Sequence, residues 1–218
     1  MGKLTQQQVV TILRVLYPIW VVFGLFSIMY VPSVLIVPGD AATTAIKITS
    51  NEFLFRSGIV GSLITQLIFI FTALFLFKLF EAVNKNYASL MVILALVSVP
   101  IAMLNELNSF AALMSVKNPE QMLFFLDLNT QGINVASIFW GLWLFPLGFL
   151  SYKSGFFPKI IGIAVLIGGI GYTLGSFIKI LAPNLEVLAS IFDIMDFGEV
   201  IFAGWLVIMG AKLPMAKP

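Results

Sequence analysis

Residues 15–37 read VLYPIWVVFGLFSIMYVPSVLIV, a run of 23 residues without a charge. As a helix rising 1.5 Å per residue it is long enough to cross a hydrocarbon core of about 30 Å. Lys3 and Arg14 precede it, which gives it the outline of a secretory signal. The run is longer than a signal's apolar region and no A-x-A site follows promptly, so it is expected to stay in place as a first span. Pro18 and Pro32 lie inside it and should bend it, and Pro38-Gly39 ends it.

Five more apolar stretches follow, at about 56–80, 88–114, 122–152, 158–181 and 185–211, with Pro100 as a kink in the second of them. Residues 40–51 read as a polar loop after the first span. Continuous runs of this length lack the dyad alternation of a barrel strand. The expected fold is therefore all-α: one transmembrane domain over 1–218, a bundle of six membrane-spanning helices.

Composition agrees. Of 218 residues 60% are hydrophobic and only 10% charged, against roughly 25% charged in a soluble domain. A soluble globule of this size has too little interior for so much apolar surface. A water-soluble enzyme and a disordered chain are excluded, and a net charge of +2 offers no polybasic arm for nucleic acid. Cys and His are both absent. Disulfides, thiolate or imidazole metal sites, His-ligated haem and His- or Cys-based catalytic triads are thereby excluded. Oxygen ligands remain, which suit hard cations and protons. No cofactor is expected. Gly2 suggests N-myristoylation, but Gln6 stands where that motif wants Ser or Thr.

Sidedness follows from the cations. Lys3, Arg14, Lys78, Lys85, Lys153, Lys159, Lys212 and Lys217 fall on the side of the two termini, and Lys47, Arg56, Lys117 and Lys179 on the other. Eight against four predicts cytoplasmic termini in a multi-pass protein of the cell membrane. In the fifth span Gly168, Gly171 and Gly175 share one helical face. Such a face packs closely inside a bundle or pairs two copies as a homodimer, and packing inside the bundle is the favoured expectation.

Arg56-Ser57-Gly58 at the head of the second span, Ser154-Gly155-Phe156-Phe157-Pro158-Lys159-Ile160-Ile161-Gly162, and Gly198-Glu199 in the last span are the local motifs. On these three stretches the chain resembles a widespread prokaryotic family of uncharacterised six-span membrane proteins, known as a domain of unknown function. The resemblance covers about the whole length after the first span. It implies a six-helix fold and brings no activity. In physical terms Ser-Gly makes a turn, Pro158 suits a first helical position and Gly162 permits close packing.

Polar groups inside apolar spans are costly and usually functional. Arg56 opens the second span and Gln66 lies deeper in it. Asn105, Glu106 and Asn108 lie in the third, Asp127, Asn129, Gln131 and Asn134 in the fourth, and Asp193, Asp196 and Glu199 in the sixth. The expected topology places them all in the outer half or near the middle. Asp127, Gln131 and Asn134 share one helical face, as do Asp193, Asp196 and Glu199, and both faces should look inward. The candidate ligand-binding residues are Arg56, Asn105, Glu106, Gln131, Asn134, Asp196 and Glu199, around an outward-facing acidic cavity closed on the cytoplasmic side by aromatic packing. Asp127 and Asp193 are left open between the cavity and the headgroup level. Arg56 is the expected counter-charge of Glu106, Asp196 and Glu199. No catalytic residue and no resident metal is assigned.

Three functions fit these residues. A net-negative pocket favours binding or transport of a small cationic or proton-coupled ligand. An accessory, scaffold or sensor subunit without its own chemistry comes second. Third is a Mg²⁺-dependent intramembrane lipid-modifying enzyme built on Asp193, Asp196 and Glu199 with Asn105 and Glu106. The scarcity of basic groups near those acids weighs against it.

Overall fold

A computed structural model describes residues 4–213. Gly2, Lys3 and Lys217 lie outside the described residues. Thr5 opens α1 (Gln6–Gly24) with a reciprocal cap, its hydroxyl accepting from the Gln8 N–H and the Gln8 side chain accepting from the Thr5 N–H. The first helix thus begins well before residue 15. After Gly24 it widens into a π-helical turn, Leu25–Tyr30, and closes as α2 (Val31–Leu35). Pro32 has no N–H for the Ile28 carbonyl, and a widened turn upstream accommodates the ring. Pro18 sits within regular helix.

Residues 40–51, expected as a loop, form the short helix α3 (Ala41–Ser50). Asp40 caps it, accepting from the Thr43 N–H at 2.9 Å and the Thr43 hydroxyl at 2.7 Å. These bonds hold the Asp40 carboxyl below the usual carboxylate range. Ala41, Thr44, Ala45 and Ile48 recur at helical spacing and are buried. That apolar face, hidden in a stretch polar by composition, is why the segment coils.

The remaining elements are α4 (Glu52–Phe80), α5 (Lys85–Met114), α6 (Pro119–Ser154), α7 (Lys159–Leu181), α8 (Glu186–Met195) and α9 (Phe197–Met209). Asn84 and Asn118 cap α5 and α6 through Tyr87 N–H and Gln121 N–H. Gly155 takes φ +72° to end α6. Ser154 Oγ then accepts from the Phe156 N–H at 3.0 Å, and Pro158 caps α7 rather than entering it. Among the described residues there is no strand. Five helices, Gln6–Leu35 and α4 to α7, are long and apolar enough to cross a membrane. The chain is a membrane protein. The sixth expected stretch is divided at Asp196 into α8 and α9, of 10 and 13 residues.

Chain neighbours pack in turn, α1 on α4, α4 on α5, α5 on α6, α6 on α7, and α7 on both α8 and α9; α9 then returns to α1. Arg14 ties that return, its Nε donating to the Val207 carbonyl at 2.9 Å. Gly168, Gly171 and Gly175 all face α8 and α9, where Met195, Phe192 and Gly198 would meet any added Cβ. The glycine face is filled within the chain. Two apolar cores result. One, around Leu13, Tyr17, Phe80, Trp143, Phe157 and Phe202, occupies the end with the amino terminus and the α6–α7 turn. The other, around Leu35, Ile48, Phe55 and Met122, lies beneath α3.

Candidate functional site

Between the two cores lies a polar layer. Its firmest part joins α5 to α6. Asn105 Nδ2 donates to the Asn129 carbonyl at 2.8 Å, and Asn129 Nδ2 donates to the Asn105 carbonyl at 3.2 Å and to Ser109 Oγ at 3.0 Å. Asn108 donates to Asn105 Oδ1 at 2.9 Å. A Cβ at Gly132 would run into the Asn105 side chain, so a bare backbone there lets the clamp form. Beside it Ser62 of α4 donates to the Glu106 carboxylate at 2.5 Å.

Two cavities occupy this level. The first, about 90 Å³, is walled by the π-helical turn, α2, α4, α5 and α6 and contains Glu106, Asn105, Asn129, Ser62 and Gln66. The second, about 260 Å³, is walled by α1, α4, α6, α7 and α9 and contains Glu199, Trp20, Trp140, Trp143 and Tyr172. Ile28, Gln66 and Trp140 line both, so the cavities adjoin. The π-helical turn passes both, through Ser27 and Ile28 in the first and Leu25, Ile28 and Met29 in the second. Glu199 is 6% exposed. Its Oε1, with Gln66 Oε1, Ser27 Oγ and Trp20 Nε1, is buried without a hydrogen-bond partner among the described residues.

Below the second cavity the aromatic rings interlock. Trp20 stacks on Phe69 at 5.5 Å, Phe69 meets Trp143 edge-on at 4.9 Å, and Tyr17 meets Phe202 at 6.0 Å. At the other end the Leu35–Ile48–Phe55 core lies beneath α3, and beside it a cavity of about 330 Å³ is lined by Thr49, Glu52, Arg56, Phe110 and Met114.

The expected site residues part company. Asn105, Glu106 and Glu199 line the polar layer. Arg56 does not reach them; it pairs with Glu52 at 2.7 Å, one turn away on α4, and both side chains are about half exposed. A partner four residues away on the same helix is reached without ordering a distant contact. Gln131 is exposed and accepts from Asn134 at 3.4 Å, and neither lines either of these two cavities. The inward face of α6 is instead Leu126, Asn129, Ile133, Ala136 and Trp140. Asp127 is exposed, and Asp193 pairs with Lys179 of α7 at 2.6 Å, so both lie outside the layer. Asp196 sits at the α8–α9 break against the position a Cβ would take on Gly171. The acids of α8 and α9 therefore point three ways. Among the described residues no three acidic side chains gather as a metal site.

Ser62 and Gln66 were absent from the expected site. The signal was present, because Gly58, Ser62 and Gln66 recur every four residues on one face of α4. Trp20 and Tyr172 carried no comparable signal.

The family model described as domain of unknown function (DUF4386) matches residues 14–210. This chain belongs to the DUF4386 family. The match takes in the first helix as well, which extends the resemblance beyond its expected start after that span. An uncharacterized protein of Archaeoglobus fulgidus is 34% identical to this DUF4386 chain over 157 residues, covering 71% of the chain and 85% of that protein. No solved structure matches it.

Proposed function

We propose that the protein binds a small cationic ligand, or passes protons with one, in the polar layer between its two apolar cores. The observation that carries this reading is the pairing of charges. Ion pairs among the described residues join Arg56 to Glu52, Lys78 to Glu81 and Lys179 to Asp193. Among the described residues no cation pairs with Glu106 or Glu199, yet both line cavities. A carboxylate in an apolar setting wants a counter-charge, and a bound cation supplies one. The test is thermal unfolding in lipid nanodiscs with tetramethylammonium chloride against sodium chloride at equal ionic strength. A rise in melting temperature with one cation is expected for the parent and not for the Glu106→Gln, Glu199→Gln double variant. Equal curves for parent and double variant in every salt would remove the cation site.

In the same reading α8 and α9 together make a sixth span and both termini are cytoplasmic. The excess of Lys and Arg on the amino-terminal side supports this. The chain has no Cys, so single cysteines report sidedness directly. Ser50 and Asn86 are exposed at opposite ends of the bundle. In intact cells a cysteine at Ser50 should react with an impermeant thiol reagent and one at Asn86 should not. The reverse pattern would invert the topology.

A further inference from the structure

The two cavities differ in their walls. The Glu106 cavity sets amides and hydroxyls around its carboxylate within mostly aliphatic walls, whereas the Glu199 cavity sets one carboxylate among aromatic rings, Trp20, Trp140, Trp143 and Tyr172. Aromatic faces and a carboxylate together suit an organic cation, which binds the ring quadrupoles and the negative charge at once. Such a cation sheds its water readily, unlike a small inorganic ion.

The same cavity has a side toward the bilayer. Arg14 and Tyr17 hold α1 to α9 at the amino-terminal end through the Val207 carbonyl and Phe202. Further along, Leu25 and Met29 of the π-helical turn and Val200 of α9 line the cavity while being 52%, 61% and 57% exposed. Residues that both line a cavity and lie on the outer surface mark its mouth. This mouth is apolar and lies on the helix flanks, well away from either end of the bundle. π-helical turns recur at functional sites, where they displace a helix wall from its neighbours.

We propose that the Glu199 cavity takes the alkylammonium headgroup of a single-chain amphiphile that enters sideways from the bilayer between α1 and α9. The head lies against Glu199 and the aromatic rings. The tail lies over Leu25, Met29 and Val200 and runs out into lipid. The unpartnered Glu199 Oε1, in a residue 6% exposed, faces the head. This rests on the cation-binding reading above and adds to it the ligand class and the route.

The experiment is titration calorimetry of the protein in nanodiscs, with empty nanodiscs as blank, using three probes. These are decyltrimethylammonium below its micelle concentration, tetramethylammonium, and neutral decyl maltoside. Decyltrimethylammonium should bind at least tenfold more tightly than either of the others. Glu199→Gln should weaken it at least tenfold while the circular dichroism spectrum stays unchanged. Val200→Trp, on an exposed position at the mouth, should slow its uptake severalfold and leave the fold intact. Tetramethylammonium binding as tightly as the decyl probe would overturn the lateral route and leave the cation reading standing. Decyl maltoside binding as tightly would make the cavity an apolar groove and overturn the headgroup assignment. Binding of no probe would overturn this inference and the cation reading together.

Discussion

Gly198→Ala should destabilise the protein by about 3 kcal/mol, the upper range for forcing an added carbon into a packed site. An added Cβ at Gly198 would lie 2.7 Å from the Ala164 carbonyl carbon and 3.1 Å from the Gly168 nitrogen, with the Ala164 oxygen nearer still. These are backbone atoms of α7, so no side chain can turn aside to make room. The two helices would have to move apart along the line where α9 is held against the bundle. Gly204 supplies the control on the same helix, because a Cβ there meets nothing within 4 Å. Gly204→Ala should be neutral or stabilising by up to about 1 kcal/mol, since alanine is the better helix former. Thermal unfolding of both variants in detergent separates them, and equal effects would contradict the α7–α9 crossing.

Glu199→Met should act in the opposite direction, stabilising the fold by about 2 kcal/mol, the cost of a buried polar atom left without a partner. Glu199 lies among aromatic and apolar side chains with Oε1 unpartnered. Methionine is similar in length and satisfies that setting without a polar atom. A residue kept at a cost to stability is the usual mark of a binding role. The same variant should lose any rise in melting temperature produced by an organic cation. A fall in stability of more than about 1 kcal/mol would instead make the carboxyl a structural group with a partner in the folded state.

The helices themselves were legible in the chain, and so was the membrane. In a bilayer each backbone N–H and C=O must find a partner within the protein, so an uncharged run such as 15–37 has helix as its outcome. Ends were less legible. Apolarity starts at residue 15, but the Thr5–Gln8 cap starts the helix at Gln6, since capping is decided by local hydrogen bonds rather than hydropathy. α3 was hidden for a similar reason. Its residues 40–51 are polar on average, and only the spacing of Ala41, Thr44, Ala45 and Ile48 reveals a buried face.

The site was half legible. Glu106 and Glu199 stood out because carboxylates deep in apolar runs are few, and both do line cavities. Their partners did not stand out. In α6 helical spacing puts Asp127, Gln131 and Asn134 on one face, yet the face turned to the cavity is that of Asn129. Gly132 selects it, because the space left by its missing side chain admits Asn105 and brings Asn129 into the clamp.

By itself, then, the order of residues determined an all-helical membrane protein of the DUF4386 family, the placement of carboxylates at depth and a glycine face on α7. Charge pairing and the walls of the cavities belonged to the tertiary structure. Arg56 is taken by Glu52 and Asp193 by Lys179, contacts set by which atoms come within about 3 Å. An apolar core lies beneath α3, while the flank between α1 and α9 keeps exposed residues on a cavity wall. Hydrophobicity dictates that a side chain leaves water. It does not dictate whether that side chain meets lipid or another helix, and in a bilayer only the packing of the helices decides.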